Sequence, residues 1–236
     1  MKKLTTFVLA ALIYHSASSQ IIIAVLFGDK LNTGKLEFGI VVSPSLTTIS
    51  NIDCKLRNGF NLGIYFNIRP DKKFFIHAEG IAKGSYGAKG IIPYPTGSDT
   101  LDNLFAEGSV ERKIKTFSLP ILCRYAISPK FFAEAGIQAD MMLGAKDIFN
   151  SEINGNDLDY TVKINDQVAL LDFGLTGGLF YKFRKDKRSM GAGIRYFQGL
   201  TDILTTTNGT QTNAAWQLIV TIPIGAGKAP QNGTKK

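Results

Sequence analysis

The strongest constraint on this chain is an alternation of apolar with polar or small residues that recurs in eight separate segments. Successive side chains of a β-strand point to opposite faces, so a period of two predicts strands with one apolar face. The eight segments are residues 36–42, 60–68, 74–86, 117–127, 131–141, 171–183, 190–196 and 216–224. Helical periodicity is hard to find along the same stretch.

The lengths of the links between these segments alternate strictly. The links at 69–73, 128–130 and 184–189 are short, whereas those near 48–58, 88–112, 145–167 and 199–213 are longer. In a meander this pattern puts every short turn on one side with both termini, as in outer-membrane barrels with short periplasmic turns and long extracellular loops. We therefore predict an all-β fold, an eight-stranded antiparallel up-and-down transmembrane β-barrel. Ten strands stay open, since residues 20–34 and parts of the long links could extend the sheet.

The face opposite the apolar stripes carries charges of both signs, which distinguishes a membrane barrel from a soluble one. A lipocalin-like barrel keeps apolar side chains inside, and a membrane barrel inverts this arrangement. If the turn at 128–130 is a three-residue loop, Arg124 lies directly opposite Glu134 on the polar face. Because unpaired charges in a narrow lumen are costly, opposite charges should meet there. The predicted polar core is structural rather than a transport site and comprises Glu37, Glu79, Lys83, Arg124, Glu134, Asp140, Asp172 and Arg195.

The N-terminus has the three parts of a secretory signal. Lys2 and Lys3 precede an apolar stretch at 7–14, and small residues follow at 17–19. We predict a signal peptide at 1–19, a periplasmic segment at 20–34, the barrel at 35–226 and a polar tail at 227–236, with the barrel in the outer membrane. The rival interpretation, an uncleaved anchor, is interrupted by polar residues at 15–20.

Charge and cysteine content exclude several other classes. Lys and Arg outnumber Asp and Glu by 27 to 19, but the basic groups lie in turns and at the tail rather than in a stripe among aromatics, which argues against nucleic acid as a partner. Two cysteines in 236 residues cannot form a disulfide scaffold. We expect no disulfide between Cys54, in the first long link, and Cys123, on the predicted lipid face.

No catalytic, cofactor or metal site is predicted. His77 is the only histidine after the signal, and a lone histidine in a polar lumen is more often a hydrogen-bonding filler than a general base. Residues 150–161 begin like a calcium loop, but Thr161 stands where a bidentate Glu is needed. Two of the long links could hold a binding site, since 88–112 carries Tyr94 and Phe105, and 145–167 carries five acidic residues, although solvated surface loops are commoner than binding loops.

Two features fit the barrel less well. Pro120 falls inside a strand that is paired on both sides, and proline cannot donate to the ladder, so a bulge is expected there. The last strand runs through 222–224 into a polar tail and lacks the terminal aromatic residue on which many such barrels end.

The layout resembles the PorT-like family of outer-membrane β-barrel proteins and, more distantly, the small OmpA-like barrels. The resemblance spans about 36–225 and is carried by short motifs at 36–39, 117–125, 135–136 and 195–203, among them Phe117-Ser118-Leu119-Pro120 and Arg195-Tyr196-Phe197-Gln198-Gly199. It implies an outer-membrane location, and the best-known member of that family assists secretion across the envelope.

The sequence thus predicts a non-enzymatic, monomeric outer-membrane barrel that acts through its extracellular loops in envelope structure, adhesion or secretion. The expected partners are outer-membrane lipid and an envelope or secretion-machinery protein, with no cofactor. A narrow transport pore and, less favoured, a soluble periplasmic lipocalin-like binding barrel are the alternatives.

Overall fold

A computed structural model of the chain describes residues 36–71, 73–153, 155–185, 189–206 and 208–224. The predicted signal peptide, periplasmic segment and C-terminal tail lie outside these residues. No helix in the described part of the chain is long and apolar enough to cross a membrane.

The described chain consists almost entirely of antiparallel strands. The strands are β1 (Leu36–Ile49), β2 (Arg57–Ile68), β3 (Phe74–Ile91), β4 (Ser109–Ala126), β5 (Phe131–Ile153), β6 (Asn156–Lys163), β7 (Leu171–Lys182), β8 (Gly191–Gly199) and β9 (Asn213–Pro223). One short helix, α1 (Asp99–Phe105), lies between β3 and β4, and a single 3₁₀ turn (Asn165–Gln167) precedes β7.

Eight of the nine strands close into a ring. Each strand of the ring pairs with its neighbours in the order β1-β2-β3-β4-β5-β7-β8-β9, and β9 pairs back onto β1. The remaining strand, β6, pairs only with the distal half of β5. The fold is therefore the predicted eight-stranded antiparallel barrel, and the extra strand extends one hairpin rather than widening the ring to ten.

Burial is inverted relative to a soluble barrel. Large apolar side chains face outward all around the ring, among them Ile137, Phe173 and Trp216, which are 62%, 54% and 54% exposed. Charged side chains face inward and are buried, including Arg195 at 0% and Glu134 at 4% exposure. An apolar exterior around a polar interior is the arrangement of a membrane barrel and not of a lipocalin-like one.

A β-bulge in β3 overturns one predicted lumen residue. The register between β3 and β4 shifts between Ile81 and Gly84, and the β2–β3 register shifts at the same level. Because a bulge adds one residue, it reverses which residues face inward beyond that point. Lys83 is exposed on the outer face, with its Nζ 5.4 Å from the centroid of the Phe60 ring, so its assignment to the lumen was wrong.

The expected bulge at Pro120 is absent. Pro120 pairs with Gln138 in a β4–β5 register that stays unbroken from Ser118 to Arg124. The β3–β4 register is also the same on both sides of the proline, at Ala78–Ile121 and Ile81–Ser118. The missing N–H is accommodated without an inserted residue.

Candidate functional site

The periplasmic half of the lumen is filled by a chain of buried ion pairs centred on Arg195. Its Nε donates to Glu134 Oε1 at 2.8 Å, and its Nη1 and Nη2 donate to the two oxygens of Glu79 at 3.1 and 2.9 Å. Arg124 donates to the second oxygen of Glu134 at 2.6 Å and lies 4.1 Å from the ring centroid of Phe180. Two guanidinium groups and two carboxylates therefore balance each other in a region closed to solvent.

A second carboxylate, Glu37, extends this network toward the periplasmic rim. It accepts hydrogen bonds from Tyr65 Oη at 3.0 Å and Asn67 Nδ2 at 2.9 Å. Its other oxygen contacts Arg69 and, at 3.4 Å, Lys182 Nζ. Both cations sit close to the mouth of the barrel and neutralise a carboxylate that is only 3% exposed.

His77 joins the two halves of the network. Its ring is fully buried, with Nδ1 2.6 Å from Asn67 Oδ1 and Nε2 2.6 Å from Glu79 Oε1. Both ring nitrogens are thus engaged in hydrogen bonds inside a closed lumen, which supports the filler role predicted for this residue. The described residues contain no group of three or more side chains that could hold a metal ion.

Asp140 and Asp172 form a separate pair nearer the extracellular side. The two residues are directly opposite each other on β5 and β7 and are 1% and 5% exposed. Their hydrogen bonds come from neutral groups: Gln138 Nε2 donates to both oxygens of Asp140 at 2.9 and 3.0 Å, and Asn213 Nδ2 donates to Asp172 at 2.9 Å. No ion pair to either carboxylate occurs among the described side chains.

The predicted polar core is thus divided into three parts. Five of its members lie in the continuous network, and these are Glu37, Glu79, Arg124, Glu134 and Arg195. Asp140 and Asp172 form the separate carboxylate pair, and Lys83 lies outside. The predicted core did not include Asn67 and Lys182, and His77 was predicted only as a hydrogen-bonding filler of the lumen, although each occupies an inward position of the same polar alternation. The parity of their strands was the signal that could have found them.

An apolar lid closes the extracellular end of the lumen. Ile164 and Val168, before β7, and Ile203 and Leu204, after β8, are at most 6% exposed. They pack on inward-facing residues of the upper barrel, namely Ile49, Tyr86, Ala88, Ile114, Ala145, Phe197 and Ala215. Burying each large aliphatic side chain stabilises the closed state by about 1.5–3 kcal/mol, so the lid is a packed part of the fold.

Backbone hydrogen bonds fasten the two links of the lid to each other. The N–H of Ala169 donates to the carbonyl of Ile203 at 3.0 Å, and the N–H of Thr205 donates to the carbonyl of Gln167 at 3.0 Å. Below the lid, two cavities in the described lumen have volumes of about 10 Å³ each. A volume of that size holds about one water molecule, so side chains fill the lumen closely at both of these places.

The strands β3 to β6 continue beyond the ring as an extracellular wall, which we define as residues 84–163. The predicted long links at 88–112 and 145–167 are in large part strand, because β4 and β5 stay paired out to Ser109–Asn150 and β6 folds back onto β5. Sequence alternation had indicated strands that end near the membrane, and the added length is supplied by main-chain pairing.

Helix α1 is anchored to this wall by an aromatic cluster around Phe149. The ring of Phe105, at the end of the helix, lies 5.9 Å from Phe149, and Tyr94 lies 5.1 Å from it on another side. Val110 completes the buried core of the cluster. The two aromatic residues singled out in the sequence of this link, Tyr94 and Phe105, are therefore used to hold the link in place.

A buried ion pair fixes the same link electrostatically. Arg112 and Asp147 are cross-strand partners joined by two hydrogen bonds of 2.9 and 2.6 Å, and Tyr94 Oη donates to the same carboxylate at 2.8 Å. Burial, together with the hydrogen bond to Asp147 and its charge, raises the pKa of the Tyr94 hydroxyl. The phenol therefore stays protonated and remains a donor to this carboxylate.

Asp102, in the first turn of α1, fixes the segment before the helix through hydrogen bonds to Thr96. One of its carboxylate oxygens accepts hydrogen bonds from the backbone N–H and the hydroxyl of Thr96, both at 2.7 Å. These bonds favour the ionised carboxylate and lower the pKa of Asp102. The link between β3 and β4 is consequently an ordered surface that projects from the barrel.

Residues 27–205 match the family model described as "Outer membrane protein beta-barrel domain". No curated protein matches the sequence. Solved structures similar to the chain include Ail, the attachment invasion locus protein of Yersinia pestis, determined in complex with the heparin analogue sucrose octasulfate, at a TM-score of 0.44 and 10% identity over 80% of this chain and 99% of that chain. Neisserial surface protein A matches at a TM-score of 0.41 and 13% identity, over 78% of this chain and 96% of that chain. The outer membrane protein OprG from Pseudomonas aeruginosa matches at a TM-score of 0.32 and 9% identity, over 80% of this chain and 91% of that chain. Similarity at this level carries no argument about function.

Proposed function

Because the chain belongs to the family of outer membrane protein beta-barrel domains, we propose that it is a closed, non-enzymatic barrel that recognises an envelope partner through its extracellular wall. Its role would be that of an adhesion or secretion accessory of the PorT-like kind, with the membrane barrel as a rigid support. The observation that carries the proposal is the contrast between a filled lumen and an ordered wall that projects beyond it.

The filled lumen argues against transport as the main role. Ion pairs occupy the periplasmic half, and the apolar lid occupies the extracellular end. A transported solute would have to break buried charge pairs, each of which costs several kcal/mol to open. An eight-stranded barrel is just wide enough for its own side chains, and here those side chains meet across it.

The wall, by contrast, has the properties of a recognition surface. Binding residues are often carried on loops that a rigid scaffold positions. Here the scaffold reaches into the loop itself, because Phe105 and Tyr94 pack on Phe149 and Arg112 holds Asp147. Leu104 and Tyr160 on this wall remain 37% exposed and offer apolar contact area to a partner at little ordering cost.

Site-directed photo-crosslinking in intact cells tests the proposal. A crosslinking amino acid is placed at Leu104 or Tyr160 on the wall and, as a matched control, at Leu200, which is 62% exposed at the rim outside the wall. We expect one defined adduct of the same mass from both wall positions and none from the control. Crosslinks of equal yield at all three positions, or at none, would contradict recognition by the wall.

A bilayer recording separates this role from the pore alternative. The purified barrel in a planar bilayer is expected to leave the conductance at the protein-free level, because the lid and the ion pairs fill the lumen. Stable conductance steps that persist after repeated purification would replace the proposed role with transport.

A further inference from the structure

The outward face of the wall, together with the adjoining end of the ring, carries a group of lysines, which we call the lysine belt: Lys83, Lys113, Lys115, Lys146 and Lys163. Lys113 is the cross-strand partner of Lys146, and Lys146 is the cross-strand partner of Lys163, so three ammonium groups stand in one row across β4, β5 and β6. Lys115 lies two residues closer to the membrane on the same face of β4.

Among the described residues, Lys113 is the one member of the belt that forms an ion pair within the protein. Like charges directly opposite each other on neighbouring strands are destabilising. Lys113 Nζ lies 3.2 Å from Glu111, but that carboxylate also accepts a hydrogen bond from Arg57 at 2.8 Å. Lys115, Lys146 and Lys163 form no ion pair within the described parts of the chain. Anions supplied from outside would offset this repulsion.

The belt begins where the apolar exterior ends. Leu119 and Leu143 are outward-facing, 45% and 49% exposed, and lie just below Lys115 and Lys146 along their strands. Leu119 is four residues from Lys115 and Leu143 is three residues from Lys146, or about 14 and 10 Å at the rise of an antiparallel strand, so the ammonium groups lie just beyond the apolar exterior on the extracellular side. Lysine stems reach along apolar surface and place their charge at headgroup level, as the contact of Lys83 with the Phe60 ring illustrates.

The far end of the wall has the opposite charge. Glu107, Glu152, Asp157 and Asp159 surround an open hollow at its tip. Lys146 and Glu152 are six residues apart on β5, or about 20 Å along the strand. A large polyanion approaching from solution would be repelled by the acidic tip. An anion lying in the membrane surface meets only the lysines at the membrane-proximal end of the wall.

The belt occupies one side of the barrel. On β1 and β9 the outward-facing residues near the extracellular ends include Leu46 and Trp216, which pair with each other, rather than lysine or arginine. The further exposed lysines Lys55 and Lys89 pair with each other on the β3 side, next to the belt. A general attraction to the headgroup layer would not require such asymmetry. The one-sided charge instead defines a local site.

From this geometry we infer that the lysine belt binds the phosphate groups of an anionic lipid in the outer leaflet, whose acyl chains lie against Leu119 and Leu143. The inference requires the barrel to be in the membrane, but it does not depend on a protein partner for the wall. It assigns to the base of the wall a ligand distinct from anything bound by its tip.

Lipid titration of the purified, detergent-solubilised barrel tests the assignment, with bound lipid counted by native mass spectrometry. The probes are diphosphoryl lipid A, its dephosphorylated form and inorganic phosphate. The belt variant combines Lys115→Gln, Lys146→Gln and Lys163→Gln. The control variant combines Lys73→Gln, Arg184→Gln and Lys185→Gln, which are exposed basic residues in the short turns outside the wall. Both variants lose three charges, and because all six side chains lie at the surface of the barrel, both should keep the folded, heat-modifiable form.

We expect wild type and the control variant to retain diphosphoryl lipid A, and the belt variant to bind it at least about tenfold more weakly, since each Lys near an anionic surface contributes appreciably to binding. A triple Lys→Arg variant at the belt positions should bind like wild type. Equal losses in belt and control variants would reduce the effect to net charge and overturn the site. Undiminished binding of the dephosphorylated lipid, or competition by millimolar inorganic phosphate alone, would overturn it as well.

Discussion

Replacing Arg195 with Met is expected to destabilise the barrel by about 3–5 kcal/mol. The arginine is 0% exposed and makes three hydrogen bonds of 2.8–3.1 Å to Glu79 and Glu134, whose side chains are each 1% exposed. Removing one partner from a buried ion pair leaves an uncompensated charge, and such changes cost about 3–5 kcal/mol. Methionine fills much of the same volume, so the loss reports charge rather than a cavity.

A second substitution separates charge balance from packing. In the double variant Arg195→Met with Glu79→Gln, one positive and one negative charge are removed, and Glu134 keeps its partner Arg124 at 2.6 Å. The double variant should therefore recover at least half of the stability lost in the single variant. Lys113→Met is the control, because its ion pair with Glu111 has side chains 32% and 28% exposed, and exposed pairs contribute about 0–1 kcal/mol.

Urea unfolding of the barrel in phospholipid vesicles measures these differences. Trp216 is the only tryptophan of the chain and lies 54% exposed on the outer face, so its fluorescence reports loss of the barrel. The network does not stabilise the barrel through charge balance if the free energy of unfolding of Arg195→Met lies within about 1 kcal/mol of the wild-type value. The same conclusion follows if the double variant is less stable than the single one.

Three further changes test other parts of the structure. His77→Ala should leave a folded barrel but lower its free energy of unfolding by about 1–3 kcal/mol, since two buried hydrogen bonds are lost; unchanged stability in urea would contradict a role in the network. Asp172→Asn should raise the free energy of unfolding at neutral pH by about 1 kcal/mol, because Asp172 lies directly opposite a second buried carboxyl, Asp140, and neither forms an ion pair among the described residues; a decrease in the urea midpoint would show that the pair is compensated. Lipids brominated on their acyl chains should quench Trp216 fluorescence in vesicles, and full emission in such lipids would be incompatible with a lipid-facing exterior.

The lumen shows how well the alternation of polar and apolar residues predicts which side chains face inward. The prediction that Arg124 faces Glu134 is confirmed by their register and by a 2.6 Å hydrogen bond, because a three-residue turn fixes the pairing of a hairpin. The same reasoning failed at Lys83, since apolar and small residues continue at even positions through the bulge in β3 and the sequence gives no sign of the inserted residue. In the structure Gly84 follows the bulge, and a Cβ atom at this position would lie 2.4 Å from Thr116 Oγ1. Glycine also occurs in strands for other reasons, such as bends and close backbone approaches, so it does not by itself predict a bulge.

The extracellular wall and the lid show a different limit. Their residues were assigned to loops because β4, β5 and β6 lose a clear apolar stripe where they leave the membrane. Outside the lipid nothing requires an apolar face on every strand, and main-chain hydrogen bonds between β5 and β6 supply order that side-chain patterning does not report. The lid depends on Val168 meeting Leu204 across two separate links, which no local pattern encodes.

The sequence by itself determined the eight strands of the ring, their order and the inward or outward direction of most of their side chains, because alternation is a local property of an extended chain and lipid outside demands one apolar face. Apart from the Arg124–Glu134 pair, whose register the short turn sets, only the tertiary structure decided which charges meet. Arg195 on β8 and Glu79 on β3 are 116 residues apart and belong to strands that are not neighbours in the ring. Closure of the barrel brings them together across the lumen, and the width of an eight-stranded ring makes that contact close enough to fill it.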